Sequence, residues 1–141
     1  MAIPVSNPDA RRFFLERQGL AAPPGRAMHK AGLADLITSL GFVQVDSIRT
    51  VERAHHMILF SRNQTYRPAH LEALLEKDRL LFEHWTHDAS ILPSAFFPHW
   101  KWRFRRREPI ILERWRKWHG EGFDAEFNNT LERIREEMQE N

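Results

Sequence analysis

Gln44-Val45-Asp46, placed where the short apolar run Gly41-Phe42-Val43 gives way to polar chain, has residue types and spacing that could do chemistry. In an extended backbone residues i and i+2 project to one side, roughly 6.5 Å apart along the chain. A carboxamide and a carboxylate would then point together while Val43 and Val45 face the core. Such a pair can hold and activate one water. Asp46 would orient the water or accept its proton, and Gln44, with both a donor and an acceptor, would fix its direction. The competing reading is structural. Asp is a preferred N-cap, and the residues from Ile48 to Phe60 read as a helix that Asp46 could simply cap. A three-residue pattern does not choose between the two.

The elements that must position this pair are mostly helical. Asn7 and Pro8 open a first helix that closes at Gly19. A second runs from about Met28 to Leu40, with Leu33, Leu36, Ile37 and Leu40 on one face and Gly41 as its stop. After the Gln-Val-Asp segment come the helix Ile48 to about Phe60, a polar turn from Ser61 to Tyr66, and a helix from Pro68 to Lys77. Two short strands are expected near Leu80 to Trp85 and Ser90 to Leu92, joined by Thr86-His87-Asp88-Ala89. Compact helices followed by a small hairpin give the order of a winged helix-turn-helix. Beyond it three helical segments are expected, about Ala95 to Arg107, Pro109 to His119 and Asp124 to Met138. The last carries Phe127, Leu131, Ile134 and Met138 as an apolar stripe suited to packing. The fold class is therefore mainly α with a small β-hairpin: a winged helix-turn-helix over residues 1–93, then a helical extension over 94–141.

Composition bounds what such a chain can do. With 141 residues, 42% of them hydrophobic, one ordinary core is expected, and a disordered or fibrous class is excluded. No apolar run approaches membrane length, and Met1-Ala2-Ile3-Pro4 has neither a basic flank nor an apolar signal core, so export is not expected and a cytoplasmic location is. The absence of Cys excludes disulfides and thiolate chemistry.

The net charge of +2 conceals a polarity along the chain. Residues 1–107 carry 16 Lys or Arg against 10 Asp or Glu, and residues 108–141 carry 5 against 9. The densest basic stretch, Lys101, Arg103, Arg105, Arg106 and Arg107, is interleaved with Trp100, Trp102 and Phe104, a mixture suited to phosphates and bases. Cations also favour a helix C-terminus, and Glu108-Pro109 is expected to end this helix, so capping competes with phosphate contact. Arg49 and Arg53, read as one helical turn apart, would form a short basic ridge beside Asp46, against a reading as solvated surface. His55-His56 falls on the same expected helix, where a half-buried structural role is the commoner one. His84, His87, Asp88 and His99 have the residue types of metal ligands, but no ligand spacing completes the set. Neither a metal nor another cofactor is expected.

An ordered series of segments in this chain resembles the winged-helix DNA glycosylases of the AlkZ and YcaQ type. The series is Arg17-Gln18-Gly19-Leu20, Gln44-Val45-Asp46-Ser47-Ile48, Arg53-Ala54-His55-His56, Leu59-Phe60-Ser61-Arg62, and Leu81-Phe82-Glu83-His84-Trp85-Thr86-His87-Asp88-Ala89-Ser90-Ile91-Leu92-Pro93. Enzymes of this kind remove N7-alkylated purines and unhook interstrand crosslinks. Their catalytic pair is Gln-x-Gln in one branch and Gln-x-Asp in the other, so the resemblance places Gln44 and Asp46 in the YcaQ-like branch as catalytic residues. It further implies duplex DNA carrying alkylated or crosslinked purines as partner, with phosphate contact at Arg49, Arg53, Arg62, Lys101, Arg103, Arg105 and Arg106. Glu83, Trp85 and His87, near the wing, are expected to support the site by packing and hydrogen bonding. Family members continue into further winged-helix units and a β-barrel, so the resemblance concerns their N-terminal part. Two other readings stay open on residues alone: a winged-helix DNA-binding regulator without chemistry, and a chain that binds another through the stripe on its last helix.

Overall fold

The computed structural model describes residues 4–139, so the Met1-Ala2-Ile3 part of the N-terminal reading lies outside the described residues. It divides into two compact units, Met1–Phe97 and Pro98–Asn141. In the first, α1 (Asn7–Arg17) and α2 (Lys30–Leu40) precede a two-residue strand β1 (Val43–Gln44), then α3 (Ala54–Arg62) and α4 (Pro68–Glu72). Helix α4 runs on into a wider π-helical turn, Ala73–Lys77, and strands β2 (Leu81–Trp85) and β3 (Ala89–Pro93) close the unit. The chain is mainly α with a small antiparallel sheet, as its hydrophobic periodicity predicts.

Local chemistry accounts for the helix ends. Ser6 caps α1 by accepting from the Asp9 amide, Pro8 sits in its first turn, and Gly19 follows with φ +66°. Gly19 also approaches α2 closely: a Cβ there would lie 2.9 Å from Leu36 Cδ1, so that side chain would have to shift. Gly41, with φ +88°, ends α2 and turns the chain directly into β1.

The sheet order is β1-β3-β2, with Val43 opposite Ile91 and Gln44 opposite Ser90 on one side, and Glu83 opposite Ile91 and His84 opposite Ser90 on the other. The hairpin thus gains a third strand from the segment that carries the Gln-Val-Asp motif. Val43 and Ile91 join Leu33 and Ile37 of α2, Leu59 of α3, and Leu71, Leu74 and Leu81 in one core. Complete burial of a side chain such as Ile37 or Leu59 contributes about 2–3 kcal/mol relative to exposure. That packing holds β1 in place more firmly than its two ladder residues could.

Two expected elements differ. Residues from Ile48 to Arg53 are not helical, and α3 begins only at Ala54. Ile48 and Val51 are 72% and 80% exposed, so a helix there would have no buried face, and Ile48, Thr50 and Val51 are β-branched. Arg49 and Arg53 instead face each other across an isolated antiparallel bridge, so the ridge they form belongs to a loop and not to a helix.

The second correction lies in the second unit, where α5 (Phe97–His119) runs unbroken through Pro109 and is followed by α6 (Phe123–Gln139). Proline removes one amide donor from a helix, here the partner of the Arg105 carbonyl. The site is exposed, so water can take that carbonyl, and strong helix formers continue the turns on both sides. Phe123 is buried against Trp115 and His119, Arg116 binds Asp124 at 2.8 Å, and Phe123 stacks on Phe127, the start of the α6 apolar stripe.

Candidate active site

Val43 is fully buried and Val45 packs half-buried against the core, with the Val45 amide donating to the Ala89 carbonyl at 2.8 Å. Alternation along this extended stretch sends Gln44 and Asp46 to the other side, and both are half-buried. Each is fixed at one end. Asp46 Oδ1 accepts from the Ile48 amide at 2.8 Å, closing an Asx turn, while the helix it was expected to cap starts eight residues later. Gln44 Nε2 donates to Asp88 Oδ2 at 3.1 Å. Among the described residues the second carboxylate oxygen of Asp46 and the carbonyl oxygen of Gln44 take no protein donor. Two oriented acceptors are thereby left to solvent.

The hairpin turn that holds Gln44 is itself braced. The Thr86 amide donates to the Asp88 carbonyl at 2.9 Å, Ser90 Oγ donates to the same carbonyl at 3.1 Å, and Thr86 Oγ1 lies 3.0 Å from Ser90 Oγ. Ser90 is 1% exposed. The carboxylate of Asp88 also accepts from the Ala89 amide at 2.9 Å. His87 meets Phe42 edge-on with ring centroids 6.0 Å apart, which ties the hairpin turn to the residue that leads into β1. From residue type alone Asp88 reads as a candidate metal ligand and nothing more. A short carboxylate in a hairpin turn, facing a strand brought up by a crossover, has no local signature of this role.

The expected support residues divide. His87 sits beside Asp88 in the hairpin turn, exposed and against Phe42. Glu83 and Trp85 sit opposite Ile91 and Ala89, so they project on the Val43 side of the sheet. There they line an open hollow of about 260 Å³ with Val45, His84, Ala89 and Ser90. Among the described residues no group of three or more His, Asp or Glu side chains that could hold a metal ion comes together.

The basic residues also take different places. Arg49 is exposed and pairs with Glu52 at 3.3 Å, and Arg53 is exposed at the start of α3. A hydrogen bond from the Arg53 amide, helped by the charge of Arg49, holds the Glu52 carboxyl below its ordinary pKa. Arg62, by contrast, turns inward, with Nε donating to the Gln18 carbonyl at 2.7 Å and Nη1 to the Ile58 carbonyl at 2.8 Å. Burial holds its pKa below the usual arginine value. It ties the end of α1 to α3.

In the second unit Lys101, Arg105 and Arg106 are exposed and Arg103 is half-buried, with Arg103 over the Trp100 ring at 5.8 Å and Arg106 over Trp102 at 5.3 Å. They occupy the first half of α5, far in sequence from its last turn of Arg116, Lys117 and His119, so capping a C-terminus does not explain them.

His55, 6% exposed, has an Nδ1 without a hydrogen-bond partner, and its ring lies 4.2 Å from that of His56. His56 Nδ1 in turn meets the Tyr66 hydroxyl at 2.7 Å. Burial, with smaller contributions from the charges of His56 and Arg53, pushes the His55 pKa down. His55 is thus buried at the start of α3, with His56 half-buried beside it.

Helices around a small sheet, with an oriented carboxamide and carboxylate beside a braced hairpin and arginine-rich surfaces, define a domain suited to hydrolysis on a polyanion. The family profile described as DNA glycosylase AlkZ-like matches residues 37–140, and the chain belongs to that family. DNA is therefore its partner and glycosylase activity its general class. The match covers the Gln-Val-Asp motif, the hairpin and both helices of the second unit, but begins after Arg17-Gln18-Gly19-Leu20. No solved structure matches the chain. Among the described residues no helix is long and apolar enough to cross a membrane.

Proposed function

We propose that the chain is the catalytic part of a monofunctional DNA glycosylase that hydrolyses the N-glycosidic bond of N7-alkylated purines in duplex DNA. The observation that carries this reading is the pair of open acceptors at Gln44 and Asp46, each anchored through its other polar atom. Alkylation at N7 makes the purine a cation, so the base leaves without a general acid, taking the bond electrons and losing its charge. A water then adds to the oxocarbenium-like sugar. Asp46 supplies negative charge opposite that cation and takes the water proton, and Gln44 orients the water.

The same economy extends to interstrand crosslinks. A crosslinked purine is tethered to the opposite strand and cannot swing into a deep pocket as base-flipping substrates do, so a shallow site is required. Gln44 and Asp46 are half-buried on a sheet edge, which supports such access. The first unit is read as a winged helix-turn-helix, about residues 1–93, and 94–141 as a helical extension leading towards a second such unit. Arg49, Arg53, Lys101, Arg103, Arg105 and Arg106 contact phosphates. Arg62 is better explained by its internal carbonyl bonds. The work is done where the DNA is, in the cytoplasm at the nucleoid.

The test is excision from a duplex bearing one N7-methylguanine. Release of the base, with an intact strand until alkali or heat is applied, is the expected result, because the motif holds no amine to form a Schiff base. Gln44→Ala should slow release while leaving DNA affinity unchanged. Tight duplex binding with no release from any alkylated substrate would make the chain a DNA-binding regulator instead.

A further inference from the structure

We propose that Asp88 is a positioning residue that holds Gln44 with its amide nitrogen inward, so that Gln44 meets the attacking water only as a hydrogen-bond acceptor. The inference rests on Gln44 and Asp46 being the hydrolytic pair, and it adds a residue and a direction to that pair.

An ionised carboxylate has acceptors and no donor, so only the NH2 end of Gln44 can face Asp88. The amide is planar, and its carbonyl oxygen is therefore turned away from Asp88. The other oxygen of Asp88 is occupied by the Ala89 amide, which fixes the carboxylate plane. The turn beneath it is held by the Thr86 and Ser90 bonds to the Asp88 carbonyl. Asp88 thus sits on a braced turn, with its side chain joined to β1 through Gln44.

The direction matters for the reaction. A water that donates one hydrogen to Asp46 and the other to Gln44 keeps its lone pairs for the sugar carbon. With the amide reversed, an N–H of Gln44 would bind a lone pair of the same water and compete with attack. The Ile48 amide does for Asp46 what Asp88 does for Gln44: it occupies one oxygen and leaves the other for the substrate water.

Two variants separate this role from simple bracing of the hairpin. In Asp88→Asn the Ala89 amide claims the remaining carbonyl oxygen, the new NH2 turns to Gln44, and Gln44 must reverse. In Asp88→Ala the hairpin loses a bond, but Gln44 stays free to adopt either direction. We expect single-turnover excision to fall on the order of 10- to 100-fold in Asp88→Asn, and by less in Asp88→Ala, with KM little changed in either. A bracing role gives the opposite order, because Ala removes more structure than Asn does, and that order would overturn the proposal.

The second readout is the pair of side-chain amide protons of Gln44 in the free protein, followed by NMR. Asp88→Asn should shift them and raise their exchange with solvent. Unchanged resonances would remove the contact on which the proposal stands. A parent chain that releases no base sinks the hydrolytic reading itself, whereas a parent that excises and an Asp88→Asn variant that excises equally well sinks the positioning role alone.

Discussion

Replacing Asp46 by Asn separates the two roles its carboxylate could have. Asn is nearly isosteric and keeps an oxygen for the Ile48 amide, now 2.8 Å from Oδ1, so the Asx turn survives. The bond loses its charge assistance, which at this half-buried, solvent-reached position costs on the order of 1 kcal/mol. What disappears is the second acceptor and the negative charge, the parts assigned to chemistry. General-base catalysis contributes at least about 10² in rate, or roughly 2.7 kcal/mol of barrier at 1.36 kcal/mol per tenfold. The expected variant is therefore folded, binds DNA as the parent does, and excises at least about 10²-fold more slowly. The assay is single-turnover release from an end-labelled duplex with one N7-methylguanine, read as alkali-revealed breaks, beside urea unfolding of the same preparation. An Asn variant that excises at the parental rate but unfolds more readily would refute the reasoning, since the carboxylate would then be only a turn former.

Other outcomes follow from the same geometry. Arg105→Ala with Arg106→Ala should flatten the dependence of duplex affinity on salt by up to about 1.8 in log–log slope, two phosphate contacts' worth, and an unchanged slope would mark these arginines as solvated. Arg62→Ala should lower the melting temperature, because two charge-assisted bonds to the Gln18 and Ile58 carbonyls are lost, while leaving that salt slope intact; a reduced slope would return Arg62 to the DNA surface. For His55, whose folded-state pKa is depressed, the unfolded chain takes up the proton first as pH falls. Its contribution to stability is full above the ordinary His value and is lost progressively below it, at up to about 1.4 kcal/mol per pH unit. Urea unfolding at about pH 7.5 and 5.5 should show that loss in the parent and not in His55→Gln, and equal losses in both would assign the pH dependence elsewhere.

The sequence by itself determined the helices with a periodic apolar face, the hairpin and the family, and it singled out Gln44 and Asp46 as the proposed hydrolytic pair. Leu33 and Ile37 at helical spacing, Gly41 as a stop and the alternation Val43-Gln44-Val45-Asp46 are local signals, and local signals survive in a linear reading. They failed where a competing term was not local. Ile48 to Arg53 had helix-compatible spacing, but only the fold reveals that no core lies beside it. Pro109 looked like a helix end because its cost is local, while the cooperativity that carries α5 past it depends on the whole helix. The place of each arginine was equally hidden. Arg62 and Arg106 are the same residue type in basic surroundings, yet one serves two carbonyls inside the first unit and the other lies over an exposed Trp ring. Above all, tertiary structure decided which way Gln44 faces. Its partner is 44 residues away, on a turn brought alongside β1 only when β3 inserts between β1 and β2, and no spacing rule reaches across that pairing.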